Sequence, residues 1–184
     1  MKSPMSPATP HQRVLLIGYR GTGKTTVAAH LAEKTKTKWI DTDGEIVRLA
    51  GCSIQTLFKR EGEVGFRDRE TSVLREILAG PCPVIACGGG IVLREENRGL
   101  LATAGTTVLL QALPETLDAR LREDPRSAAQ RPPLTDLESE AEIRAILEQR
   151  EKLYIECAKL IIETENKTPE QVAEEILEHL PSEI

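Results

Sequence analysis

Residues 18–25, with the sequence GYRGTGKT, constrain the fold of this chain more than any other segment. They fit the pattern G-x-x-x-x-G-K-[ST], in which backbone amides surround the phosphates of a nucleotide. An apolar run at 14–17 precedes them and a helix-like stretch at 25–34 follows. A strand, a glycine-rich turn and a helix in this order aim several N–H groups and the positive helix end at one point. The segment therefore predicts a nucleoside triphosphate site.

Within this segment we expect residues 21–26 to contact the nucleotide. Lys24 adds a mobile positive charge for the β- and γ-phosphates, and the Thr25 hydroxyl can bind Mg²⁺. The contacting residues are Gly21, Thr22, Gly23, Lys24, Thr25 and Thr26.

The composition argues against several other classes of protein. A chain of 184 residues can form one domain with a buried core. A net charge of −5, with both signs interspersed and 3% aromatic residues, disfavours nucleic acid as the main partner. The four cysteines have no C-x-x-C spacing, which disfavours zinc and a disulfide framework. No apolar run approaches the roughly 18 residues of a membrane span, so we expect a cytoplasmic protein.

Apolar runs alternate with helical patterns along the chain. Strands are predicted at 13–17, 38–40, 83–86, 106–111 and 159–162, and their lack of alternation suits strands buried on both faces. Helices are predicted at 25–34, 44–50, 54–60, 63–78, 114–122, 138–158 and 169–180. This order predicts a three-layer α/β/α fold around a five-stranded parallel sheet.

Two segments differ from the rest of this single predicted domain, which spans 11–184. Residues 1–10 are rich in proline and serine, and we expect a disordered tail there. Residues 123–136 are polar, with three prolines and no apolar periodicity. A loop of that length inside a compact domain is usually functional or disordered, and a lid is the functional interpretation.

Polar residues follow the second predicted strand as Asp41-Thr-Asp43. Ligands of open α/β sheets bind beyond the carboxyl ends of strands, so both carboxylates can point into one site. One can help to hold Mg²⁺ through a water, and the other can accept a proton from a substrate hydroxyl. The alternative is a simple N-cap of the next helix, a role that Asp43 could fill.

Further candidates lie along the rest of the chain. Arg67 and Glu70 share a helix face, either as a grip on an anionic substrate or as a surface ion pair of small effect. Residues 88–90 are three glycines after a strand, which allow close backbone approach or form a mere turn. Arg131 in the predicted lid could reach the charge that develops on a γ-phosphate. Arg150 alone would be a solvated helix arginine.

Taken in order, these blocks resemble the shikimate kinase family, within the phosphate-loop enzymes that are like nucleoside-monophosphate kinases. The resemblance covers nearly the whole chain, from about residue 13 to residue 180. It runs through residues 18–25, Asp41-Thr-Asp43 with Glu45-Ile46, Gly62-Glu63 with Phe66-Arg67 and Glu70, residues 88–90, and Arg131-Pro with Arg150 and Leu153-Tyr154.

The resemblance implies a monomeric enzyme that phosphorylates shikimate with ATP and Mg²⁺, with a substrate-binding region at about 41–70. It implies that Asp43 binds ring hydroxyls and accepts the proton, and that Arg67 and Arg150 hold the carboxylate, with Glu70 positioning Arg67. It implies that Gly88, Gly89 and Gly90 contact the substrate through their backbone. Lys24, Asp43 and Arg131 would be the catalytic residues, and Asp41 would support the metal through water.

The adenine contacts implied by the resemblance are less defined. They fall on Arg120 and on the turn that contains Lys167 and Pro169, but the segment 120–131 is longer than usual for the family. Arg122 and Arg126 therefore compete with Arg120. Two alternative functions also stay open: a related gluconate-type kinase, and a non-catalytic ATP-binding homologue.

Overall fold

The computed structural model describes residues 13–124 and 139–180. Five parallel strands form one sheet in the order β2-β3-β1-β4-β5. The strands are β1 Val14–Ile17, β2 Trp39–Asp41, β3 Val84–Ala86, β4 Thr106–Gln111 and β5 Leu160–Glu163. The α-helices are α1 Lys24–Thr35, α2 Thr42–Ala50, α3 Ile54–Ala79, α4 Glu95–Ala104, α5 Pro114–Glu123, α6 Ser139–Cys157 and α7 Pro169–Glu178.

The central strand β1 shows why the sheet needs helices on both sides. All four of its residues are buried, and successive side chains point to opposite faces. Leu15 and Ile17 belong to an apolar cluster with residues of α2, α3, α4 and α6. Val14 and Leu16 belong to a second cluster with residues of α1 and α7. The predicted three-layer architecture with five parallel strands is confirmed.

Burial of the strand residues differs between the centre and the edges of the sheet. The central strands β1 and β3 are buried along their length, as their unbroken apolar runs predict. The edge strands β2 and β5 are partly open to solvent, and Trp39 and Ile161 are exposed there.

The structure adds one helix that the sequence analysis did not predict. The segment between the three glycines and β4, to which no element was assigned, forms a 3₁₀ turn at Ile91–Leu93 followed by helix α4. Acidic residues in its first turn and Gly105 just past its end are ordinary helix signals that could have predicted it.

Element α3 contains the two helices predicted at 54–60 and 63–78. They are separated by a kink at Gly62, whose φ of 69° and ψ of −176° are not helical, so this prediction is confirmed. A positive φ suits glycine, which carries no Cβ. The kink places the residues before and after it on separate helical axes.

Some predictions concern parts of the chain outside the described residues. The predicted tail at 1–10 lies there, as does the predicted lid beyond Asp124, including Arg131 and the competing Arg126. Among the described residues, no helix is both long and apolar enough to cross a membrane.

Candidate active site

The phosphate loop connects the end of β1 to the start of α1. Gly21 and Gly23 have positive φ values of 82° and 89°, which turn the chain so that α1 begins at Lys24. Gly23 is the N-cap of α1, and no side chain caps this end of the helix. The first N–H groups of α1 are therefore open to a phosphate oxygen, which the helix dipole also favours.

Lys24 lies folded over this loop. Its Nζ donates to the carbonyl oxygens of Gly18 at 2.8 Å and Tyr19 at 2.7 Å, and the residue is 9% exposed. Several flexible methylenes separate the ammonium group from the backbone, so rotamer changes can redirect it. The ammonium can therefore exchange these carbonyls for phosphate oxygens without a change of fold.

Thr25 and Asp41 bring hard oxygen atoms together at the start of α1. The Thr25 hydroxyl donates to Asp41 Oδ2 at 2.6 Å, and Asp41 Oδ1 accepts the Gly44 amide at 3.1 Å. Asp41 is the N-cap of α2, so the helix-cap alternative applies to this residue, whereas Asp43 lies inside the first turn. A hydroxyl and a carboxylate are oxygen ligands that suit Mg²⁺.

The charged candidates meet in one pocket beyond the carboxyl ends of β1 and β3. Its lining brings together residues from the phosphate loop and from α2, α3 and α6. The lining residues are Tyr19, Arg20, Asp43, Ile54, Phe58, Phe66, Arg67, Glu70, Gly89, Gly90 and Arg150.

Arg67 and Glu70 form a buried pair in this pocket. Nη1 of Arg67 donates to both oxygens of Glu70, at 3.0 and 2.9 Å, and the two residues are 8% and 1% exposed. The surface-pair alternative is therefore wrong. Burial raises the pKa of Glu70 to about 7, and Arg67 opposes this shift. The Glu70 carboxylate fixes one side of the guanidinium. On the other side, Nη2 lies 3.4 Å from Oε1 of the exposed Glu63, a weaker contact that a bound anion could replace.

The three glycines form a floor, and two of them have no room for a side chain. A Cβ on Gly88 would overlap the carboxylate of Asp43, and one on Gly90 would overlap the guanidinium of Arg67. The Gly88 amide donates to the Thr42 hydroxyl at 2.8 Å, which connects this floor to α2. The glycines form a turn in which the Ile91 amide donates to the Gly88 carbonyl at 3.1 Å, and the predicted close approach occurs at Gly88 and Gly90.

Helix α6 holds the middle of this floor. Arg150 Nη1 and the Tyr154 hydroxyl both donate to the Gly89 carbonyl, at 3.3 and 2.5 Å. Among the described residues, Arg150 forms no ion pair. Arg150 therefore faces the pocket and is not a solvated helix arginine.

Comparison with known proteins decides the family. The family model described as shikimate kinase matches residues 20–181. A shikimate kinase from Rhodopirellula baltica is 43% identical over 94% of this chain and 92% of its own length. A shikimate kinase from Acinetobacter baumannii, solved in complex with shikimate, superposes with a TM-score of 0.86 at 37% identity, covering 92% of both chains. The chain belongs to the shikimate kinase family.

The gluconate-type alternative has weaker support than the shikimate kinase family. A gluconokinase from Sinorhizobium meliloti 1021 covers 93% of this chain, but at 12% identity and a TM-score of 0.55. Similarity at that level reflects the fold alone. Sequence identity, in contrast, places this chain among the shikimate kinases.

The structure places the arginines considered for adenine contact in different surroundings. Arg120 donates to the carbonyls of Gly21 at 3.4 Å and Thr164 at 2.9 Å, so it connects the phosphate loop to the end of β5. Arg122 pairs with Asp118, and its side chain is 71% exposed. Of these two arginines in the shikimate kinase, Arg120 is the one that contacts the nucleotide-binding loop.

The turn before α7 is shaped by its own side chains. Thr168 and Gln171 form a capping box, with Pro169 in the first turn of the helix. Lys167 Nζ pairs with Glu175 Oε2 at 2.6 Å. This pairing orients the Lys167 side chain along α7, so any nucleotide contact in the turn involves its backbone or the proline ring.

Several residues of the pocket were not given a role from the sequence. Phe58 and Phe66 stack with centroids 4.5 Å apart, one on each side of the kink at Gly62. Tyr19 and Arg20 occupy variable positions of the phosphate-loop pattern, so the pattern itself gave no signal for them. The aromatic pair could have been found from its spacing around a glycine.

Cys87 precedes the glycine floor and is 2% exposed. Burial raises the pKa of its thiol well above the ordinary range. Cys87 is thus a small core residue. All four cysteines are free thiols, and no group of three or more His, Cys, Asp or Glu residues in the described ranges could hold a metal.

Proposed function

We propose that this shikimate kinase transfers the γ-phosphoryl group of ATP to the 3-hydroxyl of shikimate, giving shikimate 3-phosphate and ADP. The observation that carries the proposal is the pocket in which Arg67, Arg150 and Asp43 lie next to the phosphate loop. Two guanidinium groups suit one carboxylate, and a carboxylate with backbone groups suits several hydroxyls. Shikimate carries one carboxylate and three hydroxyls on a small ring.

On the acceptor side, we assign the carboxylate of shikimate to Arg67 and Arg150. Glu70 holds Arg67 in one orientation, and the Gly89 carbonyl holds Arg150. Ile54, Phe58 and Phe66 provide apolar walls for the ring. Asp43 lies against Gly88 at the opposite wall, where it can accept the proton of the reacting hydroxyl.

On the donor side, we assign the β- and γ-phosphates to Lys24 and the N–H groups at the start of α1. In the reaction the acceptor oxygen forms a bond to phosphorus and the bond to the bridging oxygen of ADP breaks. Catalysis depends mainly on positioning and on neutralisation of the spreading negative charge. Arg131 remains our candidate for part of that neutralisation, and Arg120, Lys167 and Pro169 for adenine.

Mg²⁺ is the expected cofactor, and the residues present fit it. Thr25 would ligate the ion directly, and Asp41 would support it through water, since both oxygens lie together at the start of α1. Because the described residues offer no complete metal site, the remaining ligands would come from the nucleotide and water. The ion would neutralise phosphate charge during transfer.

The test is ADP release by the purified chain with ATP, Mg²⁺ and either shikimate or gluconate. We expect turnover with shikimate, none without Mg²⁺, and at most slight turnover with gluconate. Faster turnover of gluconate would overturn the substrate assignment. ATP binding without turnover of either acid would instead support a non-catalytic homologue.

The raised pKa of Glu70 predicts a pH effect on shikimate binding. Lowering the pH from about 8 to about 6 protonates this carboxyl, so it holds Arg67 less firmly and KM for shikimate should rise about threefold or more. Steady-state KM values across that range measure the effect. In Glu70→Gln the rise should be absent, and an unchanged pH profile in that variant would contradict the prediction.

The same carboxyl makes the folded state less stable as the pH rises. Its folded pKa of about 7 exceeds the ordinary value of 4.5, so the folded state holds more protons between these values. The contribution of Glu70 to stability is therefore fully present below pH 4.5 and is lost as the pH rises through about 7. In Glu70→Gln, the melting temperature should lack the pH dependence that this carboxyl contributes.

A monomeric state and a cytoplasmic location stay predictions from the sequence. Sedimentation of the purified chain measures the first, and fractionation of cells that express it measures the second.

A further inference from the structure

Arg20, the third residue of the phosphate loop, makes contacts that phosphate binding does not require. Its Nη2 lies 3.0 Å from Oε1 of Glu142 in α6, and the two side chains are only 16% and 5% exposed. Its guanidinium carbon lies 5.6 Å from the centroid of the Tyr19 ring. Ion pairs of this kind differ from exposed ones, because loss of one partner leaves a charge buried.

Tyr19 also contacts α6, through apolar packing. It is 2% exposed and forms an apolar cluster with Leu117 of α5 and with Ile143 and Ile146 of α6. Two successive residues of the phosphate loop are thus docked on α6. Arg20 is held by its ion pair with Glu142, and Tyr19 is held by apolar contact.

Helix α6 also reaches the acceptor pocket, one to three turns further along. Arg150 and Tyr154 donate to the Gly89 carbonyl, and Gly89 itself lies against the phosphate loop. A Cβ on Gly89 would lie 3.5 Å from the Arg20 amide and 3.5 Å from the Gly18 carbonyl oxygen. The phosphate loop and α6 are therefore joined directly by the Arg20–Glu142 pair and the packing of Tyr19, and indirectly through Gly89.

We propose that Arg20 is a positioning residue for phosphoryl transfer. With Glu142 it fixes the phosphate loop relative to α6, and so fixes the donor phosphate relative to Arg150. The inference rests on the proposed function, in which Arg150 holds the acceptor. In-line transfer needs reacting atoms in near contact, and a displacement of about 1 Å can cost about 10²-fold in rate. A small tilt of α6 therefore affects catalysis more than it affects either binding step.

The test compares Arg20→Gln, Arg20→Lys and the double variant Arg20→Gln/Glu142→Gln with the natural chain. We expect Arg20→Gln to lower kcat by about tenfold, while KM for ATP changes by less than about twofold. Arg20→Lys keeps the charge and should recover part of kcat. Residues in one ion pair act non-additively, so the double variant should lose no more than Arg20→Gln. The double variant also removes the buried Glu142 charge that has lost Arg20, which protects the experiment against misfolding.

The matched control is Arg144→Gln, which removes an exposed α6 arginine that pairs with Glu115 and Glu140. Its kcat should stay within about twofold of the natural value. An unchanged kcat in Arg20→Gln, even with a lowered melting temperature, would make Arg20 purely structural and overturn the inference. Additive losses in the double variant would overturn it as well. Absence of turnover in the natural chain would overturn the proposed function and this inference together.

Discussion

Asp43→Asn should lower kcat for shikimate phosphorylation by about 10²- to 10⁴-fold, the usual range for loss of a general base. The amide keeps the size of the side chain beside Gly88 but cannot accept the proton of the reacting hydroxyl. ATP binding should change by less than about twofold, because the phosphate contacts come from the loop and α1. Steady-state kinetics and titration with a non-hydrolysable ATP analogue measure the two effects.

Asp68→Asn is the matched control for this substitution. Asp68 belongs to α3 and pairs with Arg94 at 2.7 Å, with its side chain 65% exposed. Loss of an exposed pair has little effect on stability or activity. A kcat of Asp43→Asn as high as that of the control would remove Asp43 from its assigned role.

Arg67→Ala should raise KM for shikimate by about 10²-fold and leave KM for ATP nearly unchanged. Truncation of one partner of a buried charged contact costs about 2–5 kcal/mol, and here the acceptor carboxylate loses its donor. The substitution also removes the Arg67 charge from beside the buried Glu70 carboxyl, so the pKa of Glu70 should rise further. Initial rates with each substrate varied in turn provide the measurement.

Arg69→Ala offers a control two residues away on the same helix. Arg69 pairs with Glu61 at 2.6 Å, and its side chain is 45% exposed outside the pocket. KM for shikimate should stay within about twofold of the natural value in this control. Equal increases of KM for ATP and shikimate in Arg67→Ala would contradict the clamp assignment.

The sheet was predictable because its central strands are continuous apolar runs next to glycine-rich turns. The phosphate loop fixed the direction of β1 and α1, and alternation of strands and helices required the remaining strands to be parallel. Helix α4 was missed although its acidic first turn and Gly105 are ordinary helix signals, because its apolar face is modest, at Leu101 and Ala104. No local pattern marked it as strongly as the motifs marked their neighbours.

The site was predictable only in part from residue spacing. Spacing alone left Arg67 and Glu70 as a possible surface pair, since burial depends on which elements cover α3. The resemblance to a family favoured a grip on an anionic substrate, and the structure shows the pair buried in the pocket. The docking of Tyr19 and Arg20 on α6 was not predictable, because it joins residues 122 positions apart in sequence at positions that the motif leaves free.

The glycine floor has a consequence for inhibitors that compete with the acceptor. Side chains at Gly88 or Gly90 would collide with Asp43 or Arg67, the two groups to which we assign proton acceptance and acceptor binding. Substitutions there that excluded an inhibitor would disable the enzyme as well. A compound that bonds to this backbone would therefore face few routes to target-based resistance, whereas one that relies on the exchangeable apolar wall at Ile54 and Phe58 would face more.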